Sequence, residues 1–392
     1  MTEIKRDVPL IYLIAGEPSG DQLGARLMAA LKSETDGNIR FAGIGGERMS
    51  AEGLESLFPI SEISVMGLAE VLPHIPNILK RIKQTKDHVL KTKPSALVTI
   101  DAPGFSLKVS KGLKGKSIPL IHYVAPSVWA WKPKRAEKIS KYLDHLLTLL
   151  PFEPPYFEKH GLETTFVGHP VLEGQQLTGV HRDQICAELS LDASAPIMTV
   201  LPGSRRGEVS RLGPVFKDTV TELVKTLPNL QCVIPTVKNV RPVIDELTES
   251  WPTPVRVIEG VAGKHKAFKC SDVALAASGT VALELAVDHV PTVVAYKVAP
   301  VTAFLAKFLL KIKYASLANI LLDREVQPEL IQEKCNVPNL VAHLSSLFHD
   351  KGKREEQING YLEAVTMLKA GDDMPSIKAA KTVLSIIAKA NH

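Results

Sequence analysis

Runs of apolar and β-branched residues, each only a few positions long, alternate with helical patterns through most of this chain. The first set reads PLIYLIAG, NIRFAGIGG, SALVTIDAP, IPLIHYVAP, HLLTLLPF and TTFVGHP. Strands separated by helices build a parallel sheet, and helices on both faces explain why the runs are apolar almost throughout. A polar, turn-rich stretch, LEGQQLTGVHRDQ, interrupts the pattern, and PIMTVLPG, LQCVIPTVK, PVRVIEG, DVALAASG and PTVVAYKV restart it. The pattern predicts an α/β protein with two doubly wound domains facing a cleft, at 1–172 and 173–360. The remaining 361–392 reads as helices that cap the second sheet, cross back to the first, or exchange in a homodimer. A length of 392 residues suits two domains better than one core.

Composition narrows the function classes. With 45% hydrophobic and 23% charged residues the chain is globular rather than disordered. A net charge of +5 suits anionic small molecules or a lipid surface and falls short of the basic patterning of nucleic-acid binders. Cys186, Cys232, Cys270 and Cys335 form no CxxC pair and read as reduced core thiols. No run approaches the ~18 apolar residues of a membrane span, and the start of the chain lacks a signal-peptide core. A cytoplasmic or membrane-surface protein is expected. There is no D-x-D, no His/Cys cluster, no P-loop and no G-x-S-x-G, so neither a metal nor a cofactor is expected.

In open parallel sheets ligands bind beyond the carboxyl ends of the strands, where helix N-termini point their unpaired N–H groups. Polar residues directly after strands are therefore the candidates. In AGEPSGDQLGA, Gly16 and Gly20 allow close backbone approach, while Glu17, Ser19 and Asp21 suit a hydroxyl-rich substrate; Glu17 is also a catalytic candidate, the alternative base to Asp101, and Asp21 also reads as a carboxylate near a helix N-terminus. In LVTIDAPGF, Asp101 ends an apolar strand, where partial desolvation would raise its basicity for general-base work; the alternative is an N-cap for the helix beginning near Phe105. Trp129 and Trp131 in SVWAWKPKR cannot share a helix face, so at least one lines a pocket or interface; His122 is a reserve proton carrier or a core histidine. In LPGSRRGEVSRL, Ser204 and Arg205 follow a strand, with Arg206 and Arg211 reading as surface charge. In ASGTVALELA, Ser278, Gly279 and Thr280 open a helix fit for phosphate oxygens, and Glu284 lies on Thr280's face as a ribose acceptor. Two basic amphipathic segments, 65–93 and 301–314, pack on their own sheets or contact anionic lipid.

In this order and at these positions, GEPSGD, FAGIGGERM, VMGLAEVL, IDAPGF, HYVAPSVWAWKPKR, LPFE, VGHP, LPGSR, ASGTVALE and SLANIL resemble the lipid-A-disaccharide synthases, over roughly 11–330. The resemblance implies a glycosyltransferase-B architecture of two Rossmann-like domains, the first for the acceptor and the second for a UDP-sugar. It implies transfer of 2,3-diacylglucosamine from UDP-2,3-diacylglucosamine to 2,3-diacylglucosamine 1-phosphate, with inversion, at the inner face of the cytoplasmic membrane. Carried over by motif, Asp101 is the base on the acceptor 6-hydroxyl, Arg205 a diphosphate ligand, Glu284 a ribose ligand and Asn319 of SLANIL a further nucleotide-side contact. The chain departs from the family at Gly104, where a carboxylate is common, and at Ala318, where proline is usual. The alternatives are a UDP-sugar 2-epimerase of the same architecture, which needs no acylated acceptor, and a nucleotide-sugar or lipid-binding module without turnover.

Overall fold

The computed structural model describes residues 8–64, 74–174, 179–277, 279–298 and 312–390. The chain divides into two compact units, Met1–Leu172 with Leu368–His392, and Glu173–Met367.

The first unit carries a six-stranded parallel sheet of β1 (Leu10–Ala15), β2 (Arg40–Ile44), β3 (Ala96–Ile100), β4 (Leu120–Tyr123), β5 (His145–Thr148) and β6 (Glu163–Phe166), in the order β2-β1-β3-β4-β5-β6. Its central strands are apolar on both faces because helices cover both. Ile11, Leu13 and Ala15 of β1 pack with the helices Pro18–Glu34 and Pro375–Ala390, while Tyr12 and Ile14 point into the opposite core with Phe105 and Leu107. The last helix therefore belongs to the first unit, packed on Pro18–Glu34.

The second unit repeats the arrangement with β7 (Ile197–Leu201), β8 (Gln231–Thr236), β9 (Val255–Glu259), β10 (Val273–Ala276), β11 (Thr292–Tyr296) and β12 (Glu329–Ile331), in the order β12-β11-β10-β7-β8-β9. The sequence pattern does not mark β12, whose three residues are too few for a run to stand out. Pro235 sits inside β8, where it can donate no ladder bond. The β7–β8 register ends at Thr199↔Val233, before the proline is reached. The helices Arg206–Val224 and Val337–His349 cover one face through Val209, Leu212, Phe216, Leu340 and Leu344. All four cysteines are buried free thiols.

Candidate functional site

In the first sheet β1 and β3 are neighbours, yet β2 lies beyond β1 and β4 beyond β3. The chain thus leaves the adjacent ends of β1 and β3 in opposite directions, which opens the crevice where doubly wound sheets bind ligands. Gly16 follows β1 and is buried; a Cβ there would lie 2.3 Å from the Cβ of Ala102, so only glycine lets the two loops touch. This contact brings Gly16 and Glu17 beside Asp101 and Ala102. Ser19 is exposed on the first turn of Pro18–Glu34, and Gly20 packs on the end of β3.

Asp101 and Ala102 have φ values of 47° and 43°, a left-handed pair that a non-glycine chain adopts only when its surroundings impose it. The next helix, Ser106–Leu113, starts with Phe105 in the cap position, so Asp101 does not serve as its N-cap. Burial pushes the Asp101 carboxyl above the usual range, with a hydrogen bond to the Ala102 backbone pulling the other way. It is thereby a stronger base than an exposed aspartate.

Asp21 turns inward instead of toward a ligand. Its Oδ1 accepts from Gly46 N at 2.7 Å and Met49 N at 3.1 Å, and its Oδ2 from Arg48 N at 3.1 Å, so it caps the short helix Glu47–Ala51. His122 is fully buried on β4, its Nδ1 2.8 Å from Thr99 Oγ1, and burial followed by the charge of Arg135 lowers it to about 3. A ring held neutral in the core is no proton carrier.

The second sheet has its switch point between β7 and β10, joined at their ends by the hydrogen bond from Ala277 N to Leu201 O at 2.9 Å. Ser204 and Arg205 leave β7, and Gly279 and Thr280 open the helix Gly279–Val287 after β10; Ser278 lies outside the described residues. A Cβ on Gly279 would come 2.9 Å from Ala315 O, so glycine is what lets the two segments meet. Arg205 stands at the N-cap of Arg206–Val224, largely exposed, its Nη1 donating to Glu208 Oε1 at 3.1 Å while Ser204 N donates to Glu208 Oε2 at 3.1 Å. Arg211 donates to Lys297 O, and Arg206 is exposed. The Glu284 carboxylate is paired with Lys264 from the helix Gly260–Cys270, a partner that nothing in the linear spacing reveals.

Asn319 lies in the helix Leu317–Leu322. It is fully buried; Nδ2 donates to Gln327 O at 2.9 Å and Glu329 Oε1 at 2.8 Å, while Oδ1 accepts from Val326 N at 2.7 Å and Gln327 N at 3.0 Å. All four hydrogen-bonding positions of its amide are thus engaged by the protein's own backbone and by Glu329. Glu329 in turn accepts from Ala315 N and Ser316 N at 2.8 and 2.7 Å, fixing the segment that packs against Gly279.

Of the basic segments, 65–73 and 301–311 lie outside the described residues. In the helix Ile75–Thr92, Arg81 is committed internally, pairing with Glu62 at 2.6 Å and stacking on Phe58 at 4.6 Å. Ile78 packs on the core, whereas Ile75 and Leu79 are 40% and 54% exposed beside the exposed Lys80 and Lys83.

Residues 11–377 match the sequence profile of the lipid-A-disaccharide synthetases. The lipid-A-disaccharide synthase of Rhodospirillum centenum is 49% identical over 382 residues, covering 97% of this chain and 95% of the relative. Among solved structures, S. aureus MnaA with UDP aligns over 97% of both chains with a TM-score of 0.66 at 14% identity. The Neisseria meningitidis UDP-GlcNAc 2-epimerase bound to UDP-GlcNAc aligns over 97% of this chain and 99% of its own, with a TM-score of 0.63 at 13% identity. At such low identity these structures speak to the fold alone, two doubly wound domains of the glycosyltransferase-B kind.

Proposed function

The chain belongs to the lipid-A-disaccharide synthetase family, and from that premise we propose that it transfers 2,3-diacylglucosamine from its UDP form to 2,3-diacylglucosamine 1-phosphate, releasing UDP. The first unit holds the acceptor and the second the nucleotide sugar. The family match carries the transferase reading over the epimerase one, because the likeness to an epimerase is one of fold only.

The observation that carries the mechanism is Asp101, a carboxylate made more basic by burial at the switch point of the first sheet. The acceptor 6-hydroxyl gives its proton to Asp101 as its oxygen bonds to the donor's anomeric carbon. The bond from that carbon to the diphosphate breaks on the opposite face, and UDP leaves with the electron pair, so the configuration inverts. Glu17 and Ser19, on the neighbouring loop after β1, orient the acceptor. Negative charge grows on the leaving diphosphate, and Arg205, Ser204 and the N–H groups of Ser278, Gly279 and Thr280 receive it. Glu284 accepts the ribose hydroxyls, with Lys264 as its counter-ion. Asp21 and Asn319 hold the two loops in place from behind.

The enzyme works as a peripheral protein at the inner face of the cytoplasmic membrane. Exposed Ile75 and Leu79 among lysines favour an anionic surface, and among the described residues no helix is long and apolar enough to cross a membrane. The test of the chemistry is Asp101→Asn. General-base assistance is worth about 10²–10⁴-fold, so turnover should fall by that factor while UDP affinity stays unchanged in calorimetry. Near-normal turnover would transfer the base role to Glu17.

A further inference from the structure

Glu153 is 4% exposed just beyond the carboxyl end of β5, in the LPFE stretch. A buried carboxylate is costly unless donors surround it. Here Oε2 accepts from Leu149 N at 3.2 Å and Leu150 N at 3.0 Å, and Oε1 accepts from the indole Nε1 of Trp129 at 3.3 Å. Two of the three donors are the local backbone, whereas the third is a side chain brought from the loop after β4. Phe152 meets the same indole edge-on, with ring centres 5.3 Å apart. Trp129 is thus fixed by its N–H and its rim while remaining only half-buried.

The position of this pair gives it meaning. β3, β4 and β5 are consecutive in the sheet, and their carboxyl ends are tied by hydrogen bonds from Asp101 N to Tyr123 O at 2.9 Å and from Val124 N to Leu147 O at 3.0 Å. Asp101, the Trp129 loop and Glu153 therefore follow one another along a single sheet edge. Val124, at the root of that loop, has a φ of 80°, a conformation that β-branched residues avoid unless the fold compels it. The segment Ala125–Trp131 follows that forced turn, with Ala125, Val128 and Ala130 buried and Trp129 tied to Glu153.

We propose that Glu153 is a positioning residue that holds the Trp129 indole as an apolar wall for the acylated sugar acceptor. The proposal rests on the reading that the first unit binds this acceptor. An indole whose N–H is already engaged offers its apolar face without leaving a polar group unsatisfied, which suits a sugar carrying acyl chains. Burial pushes the Glu153 carboxyl up to about 7, so the group that holds the wall sits close to its own titration.

Glu153→Gln tests the contact with almost no change in volume. A side-chain amide can turn its oxygen to only one side, and the two backbone N–H groups claim it, leaving an NH₂ opposite the indole N–H. Losing that bond should raise the acceptor KM about tenfold, with the donor KM within about twofold of the parent. Trp129→Phe keeps the ring but not the N–H donor and should raise the acceptor KM less than Trp129→Ala. In the intact enzyme, 2,3-diacylglucosamine 1-phosphate should give a saturable change in tryptophan emission that UDP does not give and that Trp129→Phe abolishes. This last measurement needs no variant at Glu153 to fold. An unchanged acceptor KM in both Glu153→Gln and Trp129→Ala, a rise confined to the donor KM, or an emission change that survives Trp129→Phe would overturn the proposal while leaving the transferase reading intact. A parent enzyme that releases no UDP in response to this acceptor would overturn both.

Discussion

At the residue scale, His122 shows how burial decides what a titratable group can do. Its pKa is depressed to about 3 against an ordinary 6.5, so the unfolded chain takes up a proton that the folded chain resists. Stability from this group is complete above about pH 6.5 and is lost as pH falls toward 3. Between pH 7.5 and pH 5 the melting temperature of the parent should therefore drop further than that of His122→Gln, whose side chain cannot charge; parallel curves would contradict this. Asp21 and Asn319 illustrate why sequence marks a site more readily than it assigns roles within it. Asp21 was legible as a carboxylate just after a strand, and Asn319 only through the resemblance of its motif. Their partners, Gly46 to Met49 and Val326 to Glu329, come from other parts of the chain, and no spacing rule announces them. Glu284 hides Lys264 in the same way. Asp101 was legible because its position depends only on where an apolar run stops.

At the element scale, strands announce themselves as short apolar or β-branched runs, and β1 to β11 lie where such runs occur, including the less buried edge strands β6 and β9. β12 does not, since a three-residue edge strand carries too little signal. The helix Pro375–Ala390 was visible as a helix, but its destination was not, because an apolar face does not say which surface it covers. It covers Pro18–Glu34, burying Ala379, Ala380, Val383 and Ile387 in the core behind β1 and β3. Burying side chains such as Val383 and Ile387 is worth about 1.5–3 kcal/mol each. A chain ending at Met367 should therefore lose hydrogen-exchange protection in Pro18–Glu34 while β7, β8 and β10 keep theirs. Equal protection in both units would show that the last helix is dispensable to the first.

At the scale of the whole molecule, two sheets each carry a switch point, and each switch point carries a different chemistry. The first gathers Gly16, Glu17 and a half-buried Asp101 in a left-handed backbone conformation, which we read as suited to taking a proton from a hydroxyl. The second gathers Arg205, Gly279 and Thr280, suited to an anionic leaving group. Our proposal assigns one half of the reaction to each, and family membership supplies the reaction class. The measurement that bears most directly on this account is UDP release by purified protein given UDP-2,3-diacylglucosamine in detergent and EDTA, with and without 2,3-diacylglucosamine 1-phosphate. Release that requires both lipids and persists in EDTA is the predicted result. Release without the acceptor, or none with both lipids present, would contradict the account.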